Sequence, residues 1–362
     1  MIRTLIVDDS PTSRMLLAGI VDSDPSMKVI AEAGTGREAI ELAQRLHPDL
    51  ITMDVRMPGM NGFEASLEIM SRCPTPIVIV TAGTNVDEVE TAMNVLRAGA
   101  LAAHKLPPAP GTSGFEAAAK EILMTLKAMA AVKVITHRKD SRARLPQQGQ
   151  AHPRPSLLGM PVNHSAEKPR IVAVAASTGG PNAVSALLSR LPASFPLPIL
   201  LVQHITAGFI GGYAHWLNSD LSLRVKVAVH GELLLGGTVY VAPDDFHLGV
   251  DPSQRVMLSK GPPVAGFRPS ANSLFSSVAT AYGPASVSII LTGMGSDGVA
   301  GLRDVRQAGG HIFAQDEASC VVFGMPKAAI DSGLVKRGAP PDEIAARLTH
   351  LVCGQRQGVS SV

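Results

Sequence analysis

Residues 171–181 read Ile-Val-Ala-Val-Ala-Ala-Ser-Thr-Gly-Gly-Pro. A short apolar run passes directly into a polar, glycine-rich turn, and a helical pattern follows over 182–191. That order is the signature of a strand feeding a helix. The same alternation recurs to either side. Downstream, strands are expected at 199–202, 225–229, 239–241 and 287–291, with helical patterns at 209–218 and 299–308. Upstream, strands are expected at 4–7, 29–33, 50–53, 77–80 and 100–103, with helical patterns at 13–21, 37–46, 62–70 and 87–97 between them. Strand–helix alternation gives a parallel sheet covered on both faces. The fold class expected is therefore α/β twice over: an N-terminal doubly wound, flavodoxin-like unit and a C-terminal α/β parallel-sheet unit.

Length and charge agree with two units. At ~150 residues per domain, 362 residues make about two domains. Residues 1–127 hold 11 Lys and Arg against 16 Asp and Glu, whereas 171–362 hold 13 against 12. Between them, 133–170 hold 8 basic residues against 2 acidic ones, with five prolines and no apolar periodicity. That stretch has the composition of a linker. Its charge either solvates a tether or meets an acidic partner such as the N-terminal unit. The expected boundaries are 1–127, a linker over 128–168, and 169–355. Hydrophobic residues at 46% exclude global disorder. No apolar run reaches the ~18 residues of a membrane span, so no direct membrane insertion is expected. The opening MIRTLIVDDS has no signal-peptide form. Three cysteines, at 73, 320 and 353, are too few and too scattered for a disulfide framework or a zinc site. These features suggest a cytoplasmic protein. A net charge of +2 leaves no nucleic-acid footprint.

In a doubly wound sheet, functional residues gather at the carboxyl ends of the strands. There the N-terminal unit places Asp8 and Asp9, then Asp54, then Thr81, then Lys105. Clustered carboxylates repel one another and call for a hard divalent cation, for which oxygen-only ligands suit Mg²⁺. With the cation on an incoming phosphoryl group, Asp54 can attack it as a nucleophile. Lys105 would pair with the resulting phosphate and Thr81 would hydrogen-bond it. These residues, with the turn from Asp54 to Gly62, resemble the receiver domain of two-component response regulators over about residues 1–125. Two departures stand out. Leu106 separates Lys105 from Pro107, and Ala102 occupies the place of the receiver's switch aromatic.

In the C-terminal unit a serine on a strand-to-helix turn is exposed, with backbone N–H groups beside it. Ser177 lies in Ala-x-Ser-x-Gly, close to a nucleophile elbow. A phosphate-binding loop is the competing reading, but no Walker lysine and no GxGxxG accompany it. His204 closes the next strand, and Asp297 follows the strand at 287–291. Alone, either could be structural, the aspartate as a helix N-cap. Together the three can act as nucleophile, base and imidazole orienter. Their order, Ser…His…Asp, differs from that of α/β-hydrolases and implies a separate hydrolase fold.

The segments AASTGGP, LVQHITAGF, VAPDDFHLGV, FRPSANSLFSSVA, LTGMGSDGVAGL and AQDEASCVVFGMPKAAI resemble the catalytic domain of the chemotaxis protein-glutamate methylesterase, the CheB family. With a receiver and a linker in front, the whole chain resembles that family. The resemblance implies hydrolysis of glutamate methyl esters on methyl-accepting chemoreceptors with release of methanol, and deamidation of receptor glutamines. It implies a chemotaxis histidine kinase as phosphodonor and no cofactor for the esterase reaction beyond the receiver's Mg²⁺. It implies Ser177, His204 and Asp297 as the catalytic set, with an oxyanion hole at the N–H groups near Thr178 and Met294. It further implies that the unphosphorylated receiver covers the Ser177 cleft. Ala175 stands where the family usually has Gly, and Phe267 where a His is common. A non-catalytic, receiver-linked adaptor that only binds receptors is the rival reading. The intact Ser177, His204 and Asp297 disfavour it. A DNA-binding regulator is disfavoured by the near-neutral 171–362. His247 either lines the cleft or is structural. Cys320, flanked by apolar residues, is expected in the core, with a thiol nucleophile as its alternative.

Overall fold

A computed structural model describes residues 1–82, 91, 93, 95, 96, 99–132 and 167–354. Its N-terminal sheet has five parallel strands, β1 (Ile2–Val7), β2 (Met27–Ala33), β3 (Leu50–Met53), β4 (Ile77–Thr81) and β5 (Ala102–Lys105), in the order β2-β1-β3-β4-β5. Helices α1 (Pro11–Asp22), α2 (Gly36–Leu46), α3 (Gly62–Arg72) and α4 (Phe115–Ala130) accompany it. The first three begin where a side chain can satisfy orphan N–H groups. Ser10 accepts from Ser13, Thr35 from Glu38, and Asn61 with Glu64 forms a reciprocal capping box. Of the helical pattern over 87–97, residues 91, 93, 95 and 96 are helical and the others lie outside the described residues. Most of the linker, 133–166, lies outside them as well.

Strand β5 departs from its expected span of 100–103 by two residues. Pairing with β4 sets its position: Leu101 N–H donates to Ile77 O, and Ala102 to Lys105 then run opposite Val78 to Thr81. Lys105 thereby ends the strand instead of following it.

The C-terminal unit contains β6 (Ile171–Ala176), β7 (Ile199–Gln203), β8 (Arg224–Val227), β9 (Thr238–Val241), an antiparallel hairpin of β10 (His247–Val250) and β11 (Val256–Ser259), then β12 (Ser286–Ile290) and β13 (His311–Ala314). Apart from the hairpin, all pair in parallel in the order β13-β12-β6-β7-β9-β8. Strands β6, β7, β9 and β12 are buried at every residue. Such strands need cover on both faces, and alternate residues divide accordingly. Val172, Val174 and Leu201 join Val184, Leu187, Ile344 and Leu348 of α5 (Gly180–Leu188) and of the C-terminal helix Pro341–Cys353. Ala173, Ala175, Leu200 and Val202 face Leu274, Phe275 and Val278 of the helix Ala271–Tyr282. In chain order the remaining helices are α6 (Ile210–Asp220), α7 (Ala271–Tyr282), α8 (Val299–Gln307), α9 (Met325–Asp331) and α10 (Pro341–Cys353). Strand β6 has β7 on one side and β12 on the other, so the chain reverses its course across the sheet at β6. Crevices for ligands form at such a reversal.

The two units touch. The Asn182 amide donates to Leu96 O at 3.2 Å and the Thr206 hydroxyl to Ala103 O at 3.1 Å. Val321 and Val322 pack on the core of the N-terminal unit. Among the described residues, no helix is long and apolar enough to cross a membrane.

Two helical glycines make opposite predictions. Gly19 in α1 is exposed, and a Cβ there meets nothing within 4 Å. Gly19→Ala should stabilise the N-terminal unit by ~0.5–1 kcal/mol through helix propensity. A Cβ on Gly301 of α8 would lie 2.4 Å from Asn272 O and 2.8 Å from Phe275 Cβ. Gly301→Ala should destabilise the C-terminal unit by about 1–3 kcal/mol through overpacking. Calorimetry of the two unfolding transitions checks both, and a Gly301→Ala protein as stable as wild type contradicts the α7–α8 packing.

Candidate functional site

In the N-terminal unit the register of β1 on β3 sets Val7 opposite Met53, so Asp8 and Asp54 leave the sheet side by side. Carboxylate oxygens of Asp8, Asp9 and Asp54 lie within 4.8 Å of one another. Burial pushes the Asp54 pKa up to about 6, and the charge of Asp8 adds to the rise against the Val55 and Arg56 N–H groups and the Thr81 hydroxyl. Asp8 is raised as well, first by burial. Asp8 and Asp54 are buried and Asp9 is exposed, and three carboxylates so close together make a donor set that fits a hard, oxygen-seeking divalent ion. Thr81 ends β4 directly opposite Lys105 on β5. Lys105 is exposed and makes no ion pair with Asp54 among the described residues. Gly62 passes so close beneath this turn that a Cβ would lie 2.0 Å from Asp54 O.

In the C-terminal unit, three strand ends converge. Ala176 of β6 is opposite Gln203 of β7, and Ala175 is opposite Ile290 of β12. The His204 N–H donates to Ala176 O at 2.9 Å and the Ser177 N–H to Thr292 O at 3.0 Å. Ser177 and His204 are thus neighbours. Gly293 closes the other side of Ser177, where an added Cβ would come within 2.7 Å of the serine Cβ. Asp297 reaches the same place from the turn before α8. Its Oδ2 lies 3.1 Å from His204 Nε2, although the ring N–H is not aligned for a hydrogen bond.

Asp297 does cap a helix, but α7 and not the α8 that follows it. It accepts from the Ala271 N–H at 2.7 Å, the Asn272 N–H at 3.1 Å and the Ser270 hydroxyl at 2.9 Å. Burial alone would raise its pKa. The His204 contact and the two helix N–H groups outweigh burial and hold the carboxyl below its usual value. A permanently charged carboxylate is therefore fixed beside the imidazole. The Ser177 hydroxyl makes no hydrogen bond to His204 in this structure, a bond that in ligand-free sites is often long. Backbone N–H groups of Thr178 and Met294 meet no acceptor among the described residues.

Other side chains acquire definite places. Phe267 stacks on the His204 ring with centroids 4.3 Å apart and planes 2° from parallel. His247 is buried, with Nε2 3.1 Å from Pro262 O and Nδ1 3.3 Å from the Ser270 N–H, and is structural. Cys320 is half-buried, outside the fully buried core where sequence placed it, and burial pushes its thiol up to about 12. A thiol so raised does not ionise near neutral pH and makes a poor nucleophile. Three buried polar side chains that carry the turns went unread in the sequence: Gln203, Thr292 and Gln315. Thr292 donates to Thr178 O, and its own N–H donates to Gln315 Oε1. A polar residue ending an otherwise apolar strand was the available signal.

Comparison with known proteins matches both units to families. Residues 172–348 match the model of the CheB methylesterase family, and residues 4–102 that of the response regulator receiver domain. Protein-glutamate methylesterase/protein-glutamine glutaminase 4 of Myxococcus xanthus is 50% identical over 353 residues, 98% of each chain. Enzyme 3 of the same description from Anaeromyxobacter dehalogenans is 48% identical, over 96% of this chain and 98% of its own. The crystal structure of the Thermotoga maritima CheB methylesterase catalytic domain is 39% identical with a TM-score of 0.50, covering 51% of this chain and 100% of that one.

The raised pKa of Asp54 has a thermodynamic signature. A carboxyl whose folded pKa of about 6 exceeds its unfolded value near 3.9 favours folding below that lower value and loses this contribution as pH rises through 6. In metal-free buffer, the stability gained by Asp54→Asn over wild type should grow between pH 4 and 7 by on the order of 2–3 kcal/mol. Mg²⁺ at pH 8 should stabilise wild type more than the variant. Chemical unfolding at both pH values checks this, and a pH-independent difference would contradict the repulsive pocket.

Proposed function

The chain belongs to the CheB family of methylesterases that carry a receiver domain in front, and on that premise we propose how its residues perform the family's reaction. It is a phosphorylation-regulated protein-glutamate methylesterase and protein-glutamine glutaminase of chemotaxis adaptation. In our reading 1–127 is the receiver, 128–168 the linker and 169–355 the catalytic domain.

The Ser177 Oγ attacks the ester carbonyl of a receptor glutamate while His204 takes its proton. Asp297 stays ionised and stabilises the imidazolium. The negative charge on the tetrahedral oxygen is received by the Thr178 and Met294 N–H groups. As the intermediate collapses, His204 returns the proton to the departing methoxide and methanol leaves. Water then adds to the acyl-serine with His204 again as base, and breakage of the acyl–Oγ bond frees the glutamate and restores Ser177. A receptor glutamine follows the same course with ammonia as leaving group. The observation that carries this reading is the His204–Asp297 contact, with the carboxylate held anionic by the N-terminus of α7, beside Ser177 at the end of β6.

A receiver domain takes its phosphoryl group in an Mg²⁺-dependent reaction. Here Asp54 would accept it from a chemotaxis histidine kinase, with Asp8, Asp9 and Asp54 holding the ion. The bound ion would neutralise charge on the phosphoryl oxygens and among the carboxylates. Thr81 and Lys105 would bind the phosphate once formed. Thr206, two residues past His204, donates to Ala103 O of β5, two residues before Lys105, so the receiver lies against the turn of the base. We place the enzyme in the cytoplasm, acting on the cytoplasmic helices of chemoreceptors, with no nucleic-acid partner and no membrane insertion of its own.

Ser177→Ala should lower methanol release from methylated receptor by roughly 10⁴-fold or more, with melting unchanged. Near-normal turnover in that variant would remove Ser177 as the nucleophile and move attention to Cys320. In a second assay, a chain shortened to begin at Lys168 should exceed the unphosphorylated full-length protein in rate. A small phosphodonor with Mg²⁺ should raise the full-length rate toward it and leave the shortened chain unaffected. No gain on shortening would mean that the receiver does not inhibit.

A further inference from the structure

We infer that Gln203 is a positioning residue, whose side-chain amide holds the serine turn and the histidine turn in register and aims the Thr178 N–H at the developing oxyanion. The inference rests on the serine mechanism above.

The backbone ladder between β6 and β7 ends with the His204 N–H on Ala176 O. Past that bond the strands part, as Ser177 turns toward α5 and His204 enters a loop. The Gln203 amide supplies the next rung. Its Nε2 donates to Ser177 O at 2.8 Å and to His204 O at 2.9 Å. Two carbonyl acceptors fix the amide's orientation, because only its NH₂ end can face them. The other end, Oε1, is buried with no hydrogen-bond partner. It points to Gly180, where a Cβ would lie 2.2 Å away, so glycine there makes room for the amide.

An unmatched buried acceptor is unfavourable for folding. An apolar side chain would fill this space without that defect, so the amide's value lies in what its donors hold. Ser177 O is held twice, by Gln203 and by the Gly180 N–H at 2.8 Å. The peptide bond is planar, so the direction of the Ser177 C=O fixes the opposite direction of the Thr178 N–H. Gln203 therefore aims the oxyanion donor without touching substrate. Such alignment is felt in the transition state and not in ground-state binding.

The test uses full-length protein with phosphodonor, Mg²⁺ and methylated receptor. Gln203→Leu removes both donors at similar volume, and kcat should fall about 10–100-fold with KM within about twofold. Melting of the catalytic domain should fall only modestly, because Ser177 O keeps the Gly180 N–H and only His204 O loses its donor. Gln203→Glu, which sets a carboxylate against two carbonyls, should also lose kcat at constant KM, and it decides the matter if the leucine variant does not fold. Wild-type kcat in a folded variant would overturn the inference. So would a loss that vanishes on assay well below a lowered melting temperature, which marks a purely structural role. Ser177→Ala measured alongside separates the two ideas. If it retains turnover the serine mechanism itself fails, whereas an inactive Ser177→Ala beside a fully active Gln203→Leu overturns only the role of Gln203.

Discussion

Strand β6 is hydrogen-bonded to β7 along one edge and to β12 along the other, and all three run in parallel. Parallel neighbours finish at the same side of a sheet, so whatever follows each strand is delivered to one place. Ser177 follows β6, His204 follows β7, and the turn after β12 carries Gly293, Met294 and Asp297. Full burial of these strands leaves their register no freedom, since a one-residue slip would exchange the two core faces. The apolar packing against α5 and α10 on one face and α7 on the other thus positions chemistry that none of those helices performs. Only α7 has a further part, through the N–H groups that hold Asp297.

Two aspartates show how surroundings set the role of one side chain. Asp297 and Asp54 are both buried, one in the turn before α8 and one at the end of β3, and burial pushes each upward. Helix N–H groups and His204 reverse the effect at Asp297, which remains a dependable anion. At Asp54 the nearest charge is another carboxylate, and the rise stands. One site keeps its charge for an imidazole. The other, in our reading, would hold a cation and take a phosphoryl group, so that the same residue type would receive a signal in one sheet and support catalysis in the other.

The sequence declared the strands most clearly where both faces are buried, because a run such as Ile-Val-Ala-Val-Ala-Ala has few other readings. It was less clear where strands are short and interrupted by glycine or polar residues. The hairpin of β10 and β11 went unread, since its buried Leu248, Val250 and Val256 are interrupted by glycine and polar residues. Helices α4, α7, α9 and α10 were not anticipated from pattern. The expected start of β5 fell two residues early, because pairing with β4 and not local composition places that strand. At the site, residues identified by their own chemistry were legible, and those acting through backbone were not. Asp297's bond to the start of α7 joins segments 26 residues apart. Gln203 lay just past the strand expected over 199–202. Phe267, noted as a departure from the family pattern, proved to lie flat on the His204 ring.

The central claim is that these converging strand ends make Ser177 a nucleophile with His204 as its base. The most direct measurement is to expose the full-length, phosphodonor-treated protein to a serine-directed fluorophosphonate and locate the adduct by peptide mass spectrometry. The account predicts one adduct, on Ser177, absent when His204 is replaced by alanine. An adduct on Cys320 or on another serine, or labelling of Ser177 that is indifferent to loss of His204, would contradict it.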